Sequence, residues 1–166
     1  MKPQTHAVIS FTLSLFVYYF FRSFTAAVCF FAAGVFIDID HLLDYWLYET
    51  KKPKLTEFLT VRFLRKHWDN PYLLDRMYVV FHSYEFAMLA GAVSMYLFGF
   101  TIGTAVFLGL LSHIITDNLE NSIHPFTYFF FFRMARQFET ERLYTDESFF
   151  RQLVTAVKKN GKDLSS

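Results

Sequence analysis

His6, Asp38, Asp40, His41, Asp44, His82, Glu85, His113 and Asp117 are ionisable side chains set inside or beside long apolar runs. Asp38 and His41 are three residues apart, as are His41 and Asp44, and His82 and Glu85; His113 and Asp117 are four apart. On a helix each of these pairs shares a face. Inward-facing carboxylates and imidazoles at such spacings build the metal sites of helical bundles. An imidazole and carboxylate set with no thiolate suits zinc first, with manganese or iron as alternatives to it, and disfavours copper(I). The number of donors is enough for one or two ions. A lone His at a helix end is usually a satisfied interfacial residue, and Asp40, Asp44 or Glu85 could simply be solvated. Several His and acid pairs at one depth favour metal binding, because a carboxylate held in hydrocarbon is expensive and functional by default. His67 lies on a charged stretch and reads as solvated, and His124, before Pro125, as a loop residue.

The elements that must position these residues follow from apolarity and charge. The 166 residues are 54% hydrophobic and include 23 Phe, more greasy surface than a soluble domain of this size can bury. A net charge of +1 disfavours nucleic acid as a partner, which needs a concentrated basic face. Cys29, the single cysteine, excludes an intramolecular disulfide framework and reads as a packing residue.

Of the 16 Lys and Arg residues, Lys2 and Arg22 stand alone, seven lie from Lys51 to Arg76, and seven from Arg133 onward. Two stretches, 3–50 and 77–132, are nearly free of cations, and each can cross a hydrocarbon core twice at about 20 residues per helix. The expected fold is therefore all-α and polytopic, with about four transmembrane helices in two hairpins. The first hairpin is 5–21, a turn at Arg22-Ser23, and 24–43; the second is 79–98, a turn over Gly99 to Gly103, and 104–120. Residues 1–132 form the membrane-embedded metal-binding domain, with a central cytoplasmic segment at about 44–78. Within it, Leu55, Phe58, Leu59, Phe63 and Leu64 recur at helical intervals and indicate an amphipathic surface helix. Phe126 to Phe132 is too short to span and is expected at the interface. Residues 133–166 read as a polar C-terminal tail. The first apolar run could pass for a signal peptide, yet Arg22 and the immediate second run favour its retention.

With four crossings, all the cation-rich segments fall on one side and only Arg22 on the other. The positive-inside rule places both termini and the central segment in the cytoplasm of a cell with an inner membrane. The ionisable residues then converge at that face, since His6 and His82 open helices and the Asp38 and His113 groups close them.

These residues resemble the YdjM-like family of membrane-bound metal-dependent hydrolases. Thr5-His6, Asp38-Ile-Asp40-His41, His82-Ser83 and His113-Ile-Ile-Thr-Asp117 stand in the family's order over residues 5 to 120. Tyr78-Val-Val-Phe81 stands where many relatives carry Arg-Gly-x-Thr. The His-rich helical plan more distantly resembles zinc-dependent bacterial phospholipase C. These resemblances imply a metal-dependent hydrolase acting on phosphoester or other ester bonds of a lipid or amphiphilic substrate. His6, Asp38, His41, His82, His113 and Asp117 would hold the metal, Asp40 or Glu85 would shuttle the proton, and Ser83 would support the site by hydrogen bonding. A membrane transporter or metal-handling protein is the alternative; it requires polar residues through the bilayer, where the third and fourth segments offer only Ser94, Tyr96 and Thr104. A non-catalytic scaffold would keep the site for structure alone. The topology is testable: reporters at both termini and within 51–76 should read cytoplasmic and one after Phe100 external. The same reading at all four positions would remove the convergence.

Overall fold

The computed structural model describes residues 3–41, 76–120 and 124–144, so Asp44, His67, the expected amphipathic helix and the end of the tail lie outside the described residues. Every regular element among the described residues is helical. The first pair is α1 (Pro3–Phe21) and α2 (Phe24–Phe36), followed by a 3-10 turn over Ile37–Ile39. The second is α3 (Tyr84–Phe98) and α4 (Phe100–Glu120). A 3-10 turn at Pro125–Tyr128, α5 (Phe130–Ala135) and another 3-10 turn at Thr140–Leu143 complete the order.

The turn at Arg22-Ser23 forms as the composition suggests. Arg22 takes a positive φ of 52°, and the Ser23 hydroxyl accepts the amide of Ala26 to cap α2. The second turn is tighter than expected. Gly99 alone breaks the chain at φ 87°, its amide donating to the Met95 carbonyl, and α4 begins at once with Phe100. Gly103 is thus not a turn residue but a helical contact: a Cβ there would lie 2.4 Å from the Met95 amide nitrogen. The third segment also starts later than expected, because Ser83 caps α3 by accepting the Phe86 amide. His82 consequently sits in the turn before the helix.

Small residues let the helices approach closely. A Cβ on Gly109 of α4 would lie 2.4 Å from the Phe30 carbonyl oxygen of α2, and one on Gly34 of α2 would lie 2.6 Å from the Ser10 hydroxyl of α1. Two apolar clusters fill the interior, Val17, Ala26, Phe30 and Ala105 in one, and Ile37, Ala87, Leu110, Ile114 and Tyr128 in the other.

The polarity of α1 is inverted relative to a soluble helix. His6, Ser10, Ser14 and Val17 are buried on one face, while Phe11, Leu15, Phe16, Tyr19 and Phe20 are exposed. α3 likewise exposes Met88, Leu89, Tyr96 and Leu97. α4 is the one described helix long and apolar enough to cross a membrane; Phe24–Ile39 and Tyr84–Phe98 are apolar but shorter.

The C-terminal part of the described chain, within the polar tail expected from residue 133, is packed as far as residue 144. Arg133, Thr140 and Leu143 are fully buried, and Arg76 pairs with Glu139 in an isolated antiparallel bridge. Because Gly109 lies one turn before His113 and touches α2 backbone, Gly109→Ala should force α2 and α4 apart. Unfolding in detergent should show a loss of about 1–3 kcal/mol, and unchanged stability would contradict the close approach.

Candidate metal centre

The site is built from three elements. The 3-10 turn after α2 supplies Asp38 and the two residues that follow that turn are Asp40 and His41, the turn before α3 supplies His82, and the C-terminal part of α4 supplies His113 and Asp117. His6 enters from the first turn of α1. Three groups, buried or partly buried, could hold an ion: His6, His113 and Asp117; Asp38, His82 and His113; and Asp40, His41 and His82.

Hydrogen bonds on the far side of each ring fix which nitrogen faces the centre. His113 Nδ1 lies 2.7 Å from the Gly34 carbonyl oxygen, which can only accept, so Nδ1 carries the proton. His82 Nδ1 lies 2.8 Å from Asp40 Oδ1, which orders the same tautomer. In their neutral forms both rings therefore present an Nε2 lone pair to the centre, and these nitrogens are only 3.2 Å apart. Asp38 Oδ1 lies 3.2 Å from His82 Nε2 and 3.3 Å from His113 Nε2. Asp117 Oδ2 lies 3.7 and 3.4 Å from the same two atoms.

With both rings neutral, four acceptor atoms thus face one another, an arrangement that could hold a metal ion. A tetrahedral zinc ion with ligands at about 2.0–2.2 Å requires ligand separations of about 3.3–3.6 Å. The five separations above run from 3.2 to 3.7 Å and bracket that value. Without an ion, positive charge must come from protons. Burial disfavours the His82 cation, but Asp40 and Asp38 overcome that and raise its pKa well above the usual imidazole value.

Asp40 is a supporting carboxylate. It is 1% exposed; Oδ1 faces His82 Nδ1, and Oδ2 accepts the amides of Phe81 at 2.7 Å and His82 at 3.1 Å. A carboxylate behind a ligating imidazole fixes the ring and raises its basicity. His6 Nε2 lies 2.9 Å from Asp117 Oδ1, and its ring stacks on His113 with centroids 3.8 Å apart. It is placed to hold Asp117 and to close one side of the centre. His41 stands at the rim, with Nε2 3.9 Å from Asp38 Oδ1 and its side chain 30% exposed.

Two expected roles take a different form. Glu85 does not pair with His82, because His82 precedes the helix; the Glu85 carboxylate instead accepts the amides of Phe130 and Phe131 at the start of α5. Ser83 is buried, but its hydroxyl donates to the Val80 carbonyl and caps α3, shaping the turn rather than facing the donors. His124 caps the 3-10 turn after it, its Nδ1 accepting the Phe126 amide. Arg133 was not legible as part of the site. Its guanidinium donates to the His82 carbonyl at 2.9 Å and the Val79 carbonyl at 3.0 Å. The sole hint is a cation directly after the run Phe129 to Phe132.

Asp40→Asn keeps size but removes the charge behind His82, so metal affinity should fall about 10 to 100-fold without disappearing. His113→Ala removes a converging nitrogen and should abolish binding; metal titration of the purified variants separates the two, and wild-type affinity in both would exclude this centre. No family model matches the chain, and no curated protein or solved structure does so either.

Proposed function

We propose that this protein is a metal-dependent hydrolase of the membrane, similar to the YdjM-like family, with one zinc ion held by Asp38, His82, His113 and Asp117. The observation that carries this reading is the convergence of two imidazole lone pairs and two carboxylate oxygens at ligand-to-ligand separations that suit a tetrahedral ion. A single ion is favoured because the remaining donors are committed elsewhere: Asp40 to His82 and two amides, and His6 to Asp117.

A bound zinc ion would supply Lewis acidity, and by expanding beyond its four protein ligands it would also acidify a water toward neutral pH. The chain's own residues divide the remaining work. Asp40 and the Gly34 carbonyl hold the two imidazoles in the ligating tautomer. His6 holds Asp117. His41, at the open rim, is the group best placed to take or deliver a proton from a substrate arriving there, a role that Glu85 is too engaged with α5 to fill.

The membrane reading rests on the outward apolar faces of α1 and α3, the length of α4 and the cation distribution. In a four-crossing arrangement with both termini cytoplasmic, the centre lies at the cytoplasmic interface, where the ester or phosphoester of an amphiphilic substrate can reach it.

Metal analysis of protein purified in detergent should give one zinc ion per chain. A panel of phosphate and carboxylic esters should reveal hydrolysis that chelation abolishes and zinc restores. His41→Ala should keep the ion but lower kcat by about 100-fold or more if it carries the proton. A protein that retains full activity after its metal is stripped would overturn the reading.

A further inference from the structure

We infer that Arg133 is a positioning residue for His82, and that the segment from Phe126 to Glu139 is a strap whose docking sets the affinity of the metal centre. The inference rests on the metal reading above.

The turn presenting His82 is not stable by its own geometry. Val79 has a positive φ of 30°, a conformation that β-branched residues strongly disfavour. The turn is closed by the His82 amide donating to the Val79 carbonyl at 3.0 Å. Both of its terminal carbonyls are then taken by one side chain: Arg133 Nη1 donates to His82 and Nη2 to Val79. Nη1 also reaches the Thr127 carbonyl at 3.2 Å, tying the turn to the strap's own first residues. Arg133 has no exposed surface.

The planar fork of a guanidinium matches two carbonyls of one turn, and a lysine ammonium cannot span them in the same way. A charged group buried completely must gain from such bonds to persist. Other contacts lock the strap in register. Glu85 accepts the amides of Phe130 and Phe131, and the Met77 amide donates to the Phe138 carbonyl. The strap therefore grips the chain on both sides of His82, while Asp40 holds the same turn from the opposite side through the amides of Phe81 and His82. Of the four converging donors His82 alone lies outside both the α-helices and the 3-10 turns, so its position depends on these bonds.

The test uses the full chain in detergent, with zinc affinity from chelator competition and the visible spectrum of the cobalt(II)-loaded protein as readouts. R133Q should bind zinc about 10 to 100-fold more weakly than wild type and shift or weaken the tetrahedral cobalt bands. R133K, which keeps the charge and can hold one carbonyl, should bind with intermediate affinity and remains informative if R133Q does not fold. Leu143→Ala, which removes fully buried packing from the same C-terminal segment, should lower thermal stability but leave the cobalt spectrum unchanged. Wild-type affinity and spectrum in R133K, or equal spectral change in Leu143→Ala, would overturn the positioning role alone. A wild-type protein that binds neither ion would overturn the metal reading and this inference with it.

Discussion

Two histidine nitrogens and two aspartate oxygens, all acceptors in the neutral-imidazole state, face one another inside an apolar bundle. Gathering them requires positive charge among them, from a metal ion or from protonation of His82, and the surrounding hydrogen bonds prevent the simplest escape. With Nδ1 of His113 committed to the Gly34 carbonyl and Nδ1 of His82 to Asp40, neither ring can turn its lone pair away. The remainder of the structure is arranged around that constraint. Small residues at Gly34 and Gly109 bring α1, α2 and α4 close enough for the ring of one helix to reach the backbone of another. Two apolar clusters, one of which includes Ile37 and Ile114 beside the donors in sequence, fill the interior.

The helix packing and the site are therefore one problem. In a membrane, apolar side chains gain little by leaving lipid for protein, so helices associate through close backbone approach and polar contacts. The inner face of α1 has the pattern such packing would need, with His6, Ser10 and Ser14 inward and aromatic residues outward. Ser10 meets Gly34 closely, and His6 at the end of the same stripe stacks on His113. One polar stripe thus both packs the bundle and completes the wall of the candidate centre. The donors differ in rigidity. Those on α4 are held by a continuous helix of 21 residues, whereas His82 is held by a strained turn that Asp40 and Arg133 grip from two sides.

Much of this was legible in the sequence because it depends on local spacing and on apolarity. The break at Arg22-Ser23, the all-helical character, and the His113 and Asp117 pair follow from run length, capping residues and the four-residue period. The convergence of His6, Asp38, His82, His113 and Asp117 also followed, since hairpins of nearly equal length return their ends to one face. What the residue types and spacings determined was the set of donors and the end of the bundle where they gather.

The tertiary structure decided how each donor is used. Spacing suggested that His82 and Glu85 share a helix face, but Ser83 starts the helix one residue after His82, and the acid turns to the amides of α5 instead. Gly99 and Gly103 both looked like turn residues; only the first needs a positive φ, and the second is consumed by contact with Met95. Asp40, one of three acids within seven residues, became the carboxylate behind His82 because of a contact 42 positions away. Arg133 read as the first cation of a polar tail, after an interfacial segment, and is instead buried against the turn that carries His82. Each of these outcomes rests on partners far apart in the chain, and composition and periodicity carry no information about which distant backbone groups a side chain will meet.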